Sequence, residues 1–165
     1  MIFETERLHV RKLRSSDFDD FHQMQSNLEV MRYTSGIAYT ADQNRDQLED
    51  CIRKYSDPNN EFWVWAIIRK RDQQFVGTCA IVPSQQGPEI GYRFLENWFG
   101  NGYGHEICDG LILYAIESLG LTKIVAYVDE QNLASVKILD KSQLEFLREE
   151  VNETGGKDRF YCWSK

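Results

Sequence analysis

The stretch Trp98-Phe99-Gly100-Asn101-Gly102-Tyr103-Gly104-His105-Glu106 limits what this chain can fold into more than any other. Three glycines alternate over five positions and give way at once to an apolar run of helical period, so this is a turn into a helix whose backbone uses conformations other residues avoid. Successive N–H groups in such a turn converge on one point, and the helix N-terminus adds about half a positive charge there. A phosphate or pyrophosphate is the natural occupant. A tight turn with no ligand would need the same glycines, and that reading stays open at this level. In the helix that follows, Cys108, Leu111, Ile112, Ala115 and Leu119 share one stripe, with Glu106, Gly110 and Glu117 opposite and Gly120 as its stop.

Two familiar phosphate loops fit poorly. A mononucleotide loop needs G-x-x-x-x-G-K-[ST], which does not occur. A dinucleotide fingerprint, G-x-G-x-x-G, needs its third glycine where His105 stands, and only about 60 residues follow, too few for the missing half of a doubly wound sheet. Asp129, at the end of the next expected strand, imitates the ribose-binding acid of that motif and keeps a dinucleotide-binding protein as an alternative.

Composition narrows the class. A chain of 165 residues, 42% hydrophobic, can bury roughly two thirds of its unfolded surface, which suits one domain spanning residues 1–165. With 19 Lys+Arg against 26 Asp+Glu the net charge is -7, and the basic runs Arg11-Lys12-Leu13-Arg14 and Arg69-Lys70-Arg71 are short. Such a surface repels nucleic acid and attracts cations, amines among them. No apolar run is long enough to span a bilayer. Cys51, Cys79, Cys108 and Cys162 form no C-x-x-C pair and do not cluster with His9, His22 or His105, so no metal site is expected and the thiols read as reduced and mostly buried. With no signal pattern at Met1 to Arg7, the expected location is the cytoplasm.

Periodicity predicts a strand over 8–13, an acidic helix from Ser15 or Ser16, a helix from Thr40 to about Tyr55, and strands over 62–69, 75–82 and 89–95, the last two joined by the turn-rich Pro83 to Pro88. After the glycine loop and its helix come a strand over 124–128, a short helix over about 132–141, and strands over 144–149 and 159–163 joined through Thr154-Gly155-Gly156. The order predicts a mixed α/β (α+β) layer architecture.

Glu89-Ile90-Gly91-Tyr92-Arg93-Phe94-Leu95, then Asn97 to Glu106, then Asn132-Leu133-Ala134-Ser135 and Leu139-Asp140-Lys141 resemble, in that order, the GNAT superfamily of acetyl-CoA-dependent N-acetyltransferases. Glu4-Thr5-Glu6-Arg7-Leu8 and Val30-Met31-Arg32-Tyr33 are similar to its ribosomal-protein N-terminal acetyltransferase (RimJ/RimL-like) branch. The resemblance implies a mixed central sheet of about seven strands flanked by about four helices. It implies transfer of an acetyl group from acetyl-CoA to a primary amine, a protein N-terminal α-amine or a small molecule, by direct attack in a ternary complex, by a monomer or homodimer. A non-catalytic CoA-binding regulatory module is the alternative from another class.

Residue roles follow from the resemblance. Phe99, Gly100, Asn101, Gly102, Tyr103, Gly104 and His105 would surround the CoA pyrophosphate, chiefly through backbone N–H groups. Tyr92, Arg93, Phe94 and Leu95 would hydrogen-bond the pantetheine arm through their main chain, with an N–H near Phe94 polarising the thioester, and Asn132 would also contact pantetheine. Phe99 and Asn101 depart from the family, which often has Arg or Gln and a basic residue there, so one cation beside the pyrophosphate is lacking. Gln143 stands where a glycine is frequent.

Acyl transfer to an amine needs a neutral nucleophile, stabilisation of the developing oxyanion and a proton for the leaving thiolate. The resemblance implies Ser135, three residues after Asn132, as the proton donor and Glu89 as a water-linked base, an arrangement that an α-amine tolerates. An amine of pKa near 8 costs only about 1 kcal/mol to neutralise at pH 7, whereas a lysine costs roughly 4 to 5 kcal/mol. Tyr33 and Tyr39, between the first two helices, are the candidate acceptor-pocket residues.

Overall fold

A computed structural model describes residues 1–165. Its framework is one eight-stranded sheet, in the order β1-β2-β3-β4-β5-β6-β8-β7. The strands are β1 (Phe3–Glu4), β2 (Leu8–Lys12), β3 (Trp63–Arg69), β4 (Phe75–Ser84), β5 (Gly87–Phe94), β6 (Lys123–Asp129), β7 (Glu145–Val151) and β8 (Lys157–Ser164). Helices α1 (Phe18–Gln25), α2 (Leu28–Met31) and α3 (Ala41–Lys54) precede β3, α4 (Tyr103–Leu113) separates β5 from β6, and α5 (Leu133–Asp140) separates β6 from β7. The eighth strand is the two-residue β1 and the fifth helix is α2. Both are too short to leave a period in the sequence; β1 is held by its pairing with β2, and α2 is capped by Asn27, whose side chain accepts the Glu29 N–H.

Only β5 and β6 are parallel neighbours. That removes the dinucleotide alternative, which needs a doubly wound parallel sheet.

Strand alternation divides the core between the two faces of the sheet. Leu8, Val10, Ile67, Ile90 and Phe94 point to α4 and α5, against Ile107, Leu111, Val136 and Leu139. Ala66, Ile68, Phe75 and Leu95 point to the other face, against Phe21 and Met24 of α1 and Leu48 and Cys51 of α3. Cys51, Cys79 and Cys108 are buried, Cys162 is half-buried, and none is in a disulfide.

One expected connection is strand instead. Pro83 and Pro88 are cross-strand partners, and the β4–β5 turn shrinks to Gln85 and Gln86. Leu95 N–H donates to Val76 O, so the alternation makes Ser84/Gly87 a hydrogen-bonded pair and Pro83/Pro88 a non-bonded one. Prolines are tolerated where no ladder N–H is required.

Candidate functional site

Three features meet along β5: a glycine turn, a gap in the sheet and a cavity. Gly100 and Gly102 have φ of +76° and +77°, which reserves both positions for glycine. Gly102 is the N-cap of α4, and Gly100 has open space where a side chain would stand. Gly104 serves packing, since a Cβ there would lie 2.7 Å from Ile138 Cδ1 of α5. Asn101 closes the turn by donating through Nδ2 to the carbonyls of Trp98 (3.0 Å) and Phe99 (3.2 Å). Phe99 is exposed, Tyr103 is buried in the core, and His105 is half-buried with its Nδ1 unpartnered.

A cation that the sequence did not reveal stands at this turn. Arg7 donates to Asn101 O (2.9 Å) and to Glu106 Oε2 (2.7 Å) and lies over the Tyr103 ring, 4.7 Å from its centroid. Glu106 also accepts from Thr5 Oγ1 (2.5 Å) and from the Arg7 N–H (2.7 Å). Burial pushes the Glu106 carboxyl up, and the bonds from Thr5 and Arg7 outweigh it, leaving its pKa below the ordinary value. Glu106 is thus an anchor for the N-terminal segment, where helix period alone marked it as solvent-facing. The legible signal was Glu4-Thr5-Glu6-Arg7-Leu8, whose spacing says nothing of its partner.

The gap lies between β5 and β6. Their ladder has one register pair, Glu89 with Val125, and the strands then part. By the alternation above, Gly91, Arg93 and Leu95 bond to β4, while Tyr92 and Phe94 turn their N–H and C=O groups to the side β6 has left. An extended arm laid along β5 would find its partners on these two residues. Of the four strand residues expected to offer main-chain contacts, Arg93 and Leu95 have theirs committed to β4. The free edge and the glycine turn suit pantetheine and pyrophosphate, so the residues present fit CoA.

Below the gap opens a cavity of about 640 Å³ whose wall includes Tyr33, Tyr39, Glu89, Tyr92, Arg93, Asn132 and Ser135. Phe94, Leu95 and Phe99 to His105 are outside it. Asn132 caps α5, accepting the Ser135 N–H at 3.3 Å through Oδ1, which fixes Ser135 in the first turn. The Tyr92 hydroxyl is buried without a well-formed hydrogen bond; burial pushes its pKa up, and the neighbouring Ser135 side chain offsets this only in part. Tyr92 is therefore a neutral donor beside Ser135. Burial, and then the charge of Asp158, raise the Glu89 carboxyl above the ordinary value. Asp158 was invisible to sequence reasoning, because β8 reaches this place only through its pairing with β6.

The sequence profile described as acetyltransferase (GNAT) domain matches residues 7–145. An uncharacterized N-acetyltransferase of Bacillus licheniformis, p20, is 33% identical over 141 residues, which are 82% of this chain and 78% of that protein. A GNAT-family acetyltransferase of Bacillus anthracis superposes with a TM-score of 0.85 at 19% identity, covering 98% of this chain and 96% of its own. RimL, a ribosomal L7/L12 α-N-protein acetyltransferase in complex with coenzyme A, superposes with a TM-score of 0.83 at 14% identity, covering 99% and 97%.

Proposed function

The chain belongs to the GNAT acetyltransferase family, and from that premise we propose that it acetylates a primary amine from acetyl-CoA in a ternary complex, with the acceptor in the cavity beneath the β5–β6 gap. The observation that carries this is the free edge of Tyr92 and Phe94, which runs between a glycine turn suited to pyrophosphate and a cavity suited to a small polar acceptor. Bound acetyl-CoA would supply the acetyl thioester.

The protein's part is positioning and proton management. The Phe94 N–H polarises the thioester carbonyl, because its register directs it into the gap. Glu89 takes a proton from the acceptor ammonium, directly or through water. Its raised pKa brings its basicity closer to neutrality, where a general base works best. As the N–C bond forms and the C–S bond breaks, the proton that the attacking nitrogen gives up is passed through the Ser135 hydroxyl to the thiolate, so that Ser135 ends protonated, and Tyr92 stands behind it as a further donor. Tyr33 and Tyr39 line the acceptor side. Arg7, itself paired with Glu106, holds the glycine turn through the Asn101 carbonyl. Buried free thiols at Cys51, Cys79 and Cys108 suit a reducing cytoplasm.

Acetyl-CoA binding measured by calorimetry, paired with thiol release over peptides, amino acids, polyamines and aminoglycosides, tests the reading. Binding at sub-millimolar concentration and amine-dependent thiol release are expected, and Ser135→Ala should lower kcat at least tenfold with little change in cofactor affinity. Absence of binding overturns the whole reading. Binding without release from any amine leaves the regulatory module, and an unchanged kcat removes Ser135 from its role.

A further inference from the structure

The cavity wall contains one cation. Among its lining residues Arg93 is the only Lys, Arg or His, whereas Asp50, Glu89, Asp129 and Asp158 all line it. Arg93 forms no salt bridge, although most of the molecule's other arginines do. The nearby acids do not serve it: Asp50 is paired with Lys54 at 2.6 Å and with Arg53. Burial lowers the Arg93 pKa, and Tyr39 is the one ionisable neighbour that opposes this. A guanidinium drawn out of water with no counter-charge is costly, so a structural role alone would be expected to bring a carboxylate with it.

What the fold does bring is a mount. Arg93 Nη1 donates to Gln25 Oε1 at 2.6 Å, its one hydrogen bond. Gln25 is buried, and its Nε2 donates to Asn44 Oδ1 (2.9 Å) and Gln47 Oε1 (3.0 Å). Asn44 is fully buried, and its Nδ2 meets His22 Nδ1 (2.9 Å) and Tyr39 O (3.3 Å). This chain of amides from α1 and α3 fixes which oxygen Gln25 presents, and so fixes the guanidinium. The other four N–H donors of Arg93 remain for a ligand.

The strand itself arranges the charges. Glu89, Gly91 and Arg93 alternate onto one face of β5, with Glu89 and Arg93 about 13 Å apart at Cα. Between them Gly91 leaves a notch, with nothing within 4 Å of where its Cβ would be. One end of the cavity is thus a lone guanidinium, and the other is the acid group Glu89, Asp129 and Asp158, of which the last two are cross-strand partners.

We propose that the acceptor is a small amine that itself carries a carboxylate, an α-amino acid in the simplest case, held by Arg93 over Gly91 with its amino group toward Glu89. This rests on the acetyl-transfer reading and names the acceptor class for the same cavity. A planar guanidinium pairs with a carboxylate through two parallel hydrogen bonds, which orients the amine as well as binding it. A polyamine would leave Arg93 facing like charge.

The test compares each amino acid with its carboxamide by thiol release, in the wild type and in Arg93→Gln and Arg93→Lys. Wild-type kcat/KM should favour the acid about 10- to 100-fold, mainly through KM, and Arg93→Gln should collapse that ratio toward one. Arg93→Lys should keep part of it, which also covers the case in which the glutamine variant fails to fold. Aspartate and glutamate α-amides, which keep only the side-chain carboxylate, separate recognition of a side chain from recognition of an α-carboxylate. Calorimetric binding of N-acetylglycine against N-acetylglycinamide reads the same pairing without turnover, so it stands even where no amine releases thiol and the catalytic reading fails. Equal or better use of the amides by the wild type, equal binding of the two acetylated compounds, or an acid preference that survives in Arg93→Gln overturns the proposal.

Discussion

At the scale of single residues, chemistry here depends on which charges the fold leaves unmatched. Glu89 has no basic partner in the structure; burial and Asp158 both favour its protonated form. Its basic form is therefore populated only above a pKa higher than that of a free carboxyl, and the acid limb of the kcat–pH profile should lie above the ordinary carboxylate range. Asp158→Asn removes the negative neighbour, so Glu89 gives up its proton at lower pH and the limb should move down. Burial, the larger cause, remains, and the limb should stay above the free value. A limb unmoved in Asp158→Asn would detach Glu89 from the proton transfer. Asparagine is the conservative choice, because Asp158 also accepts from Asn152 Nδ2 at 3.0 Å.

The gap is a property of β5 as an element, and it rests on residues remote from the chemistry. Gly77 of β4 faces Phe94 across the ladder, beside a bulge where β3 and β4 shift register between Ile67 and Ile68. A Cβ on Gly77 would sit 2.1 Å from the Arg93 carbonyl oxygen and 2.9 Å from Phe94 Cα, both backbone atoms that cannot turn aside. Gly77→Ala should destabilise the fold by about 1–3 kcal/mol or more in chemical denaturation, and displace the strand that carries the free edge. Gly91→Ala, in the notch of β5, should change stability by less than about 0.5 kcal/mol and show itself in acceptor KM instead. Equal stability losses at the two glycines would contradict this division. The π-helical turn Tyr114–Ser118 that extends α4 is a second irregularity of an element, and the sequence reads it simply as more helix.

Across the whole molecule, the N-terminal segment and the glycine turn form one unit through Glu106. Since the Glu106 pKa is depressed, its bonds stabilise the fold at neutral pH and are lost as pH falls from the unfolded carboxylate value through the lower folded one. Glu106→Gln should cost about 1–3 kcal/mol at pH 7, and the difference from wild type should shrink toward zero in acid. A difference independent of pH would point to packing rather than charge. The net charge of -7 is also placed unevenly, since one basic side chain faces four acidic ones in the wall of the cavity. The sequence by itself determined the glycine turn, the seven longer strands and the amphipathic α4, since each follows from local period or local backbone freedom. Ser135 and Glu89 were named through the motifs that carry them, and both line the cavity. Only the tertiary structure decided that Arg7 reaches the turn, that Asp158 faces Glu89, and that Gln25 mounts Arg93 without a counter-ion. These are contacts between residues 68 to 99 positions apart, and nothing in local sequence encodes the partner across such a distance.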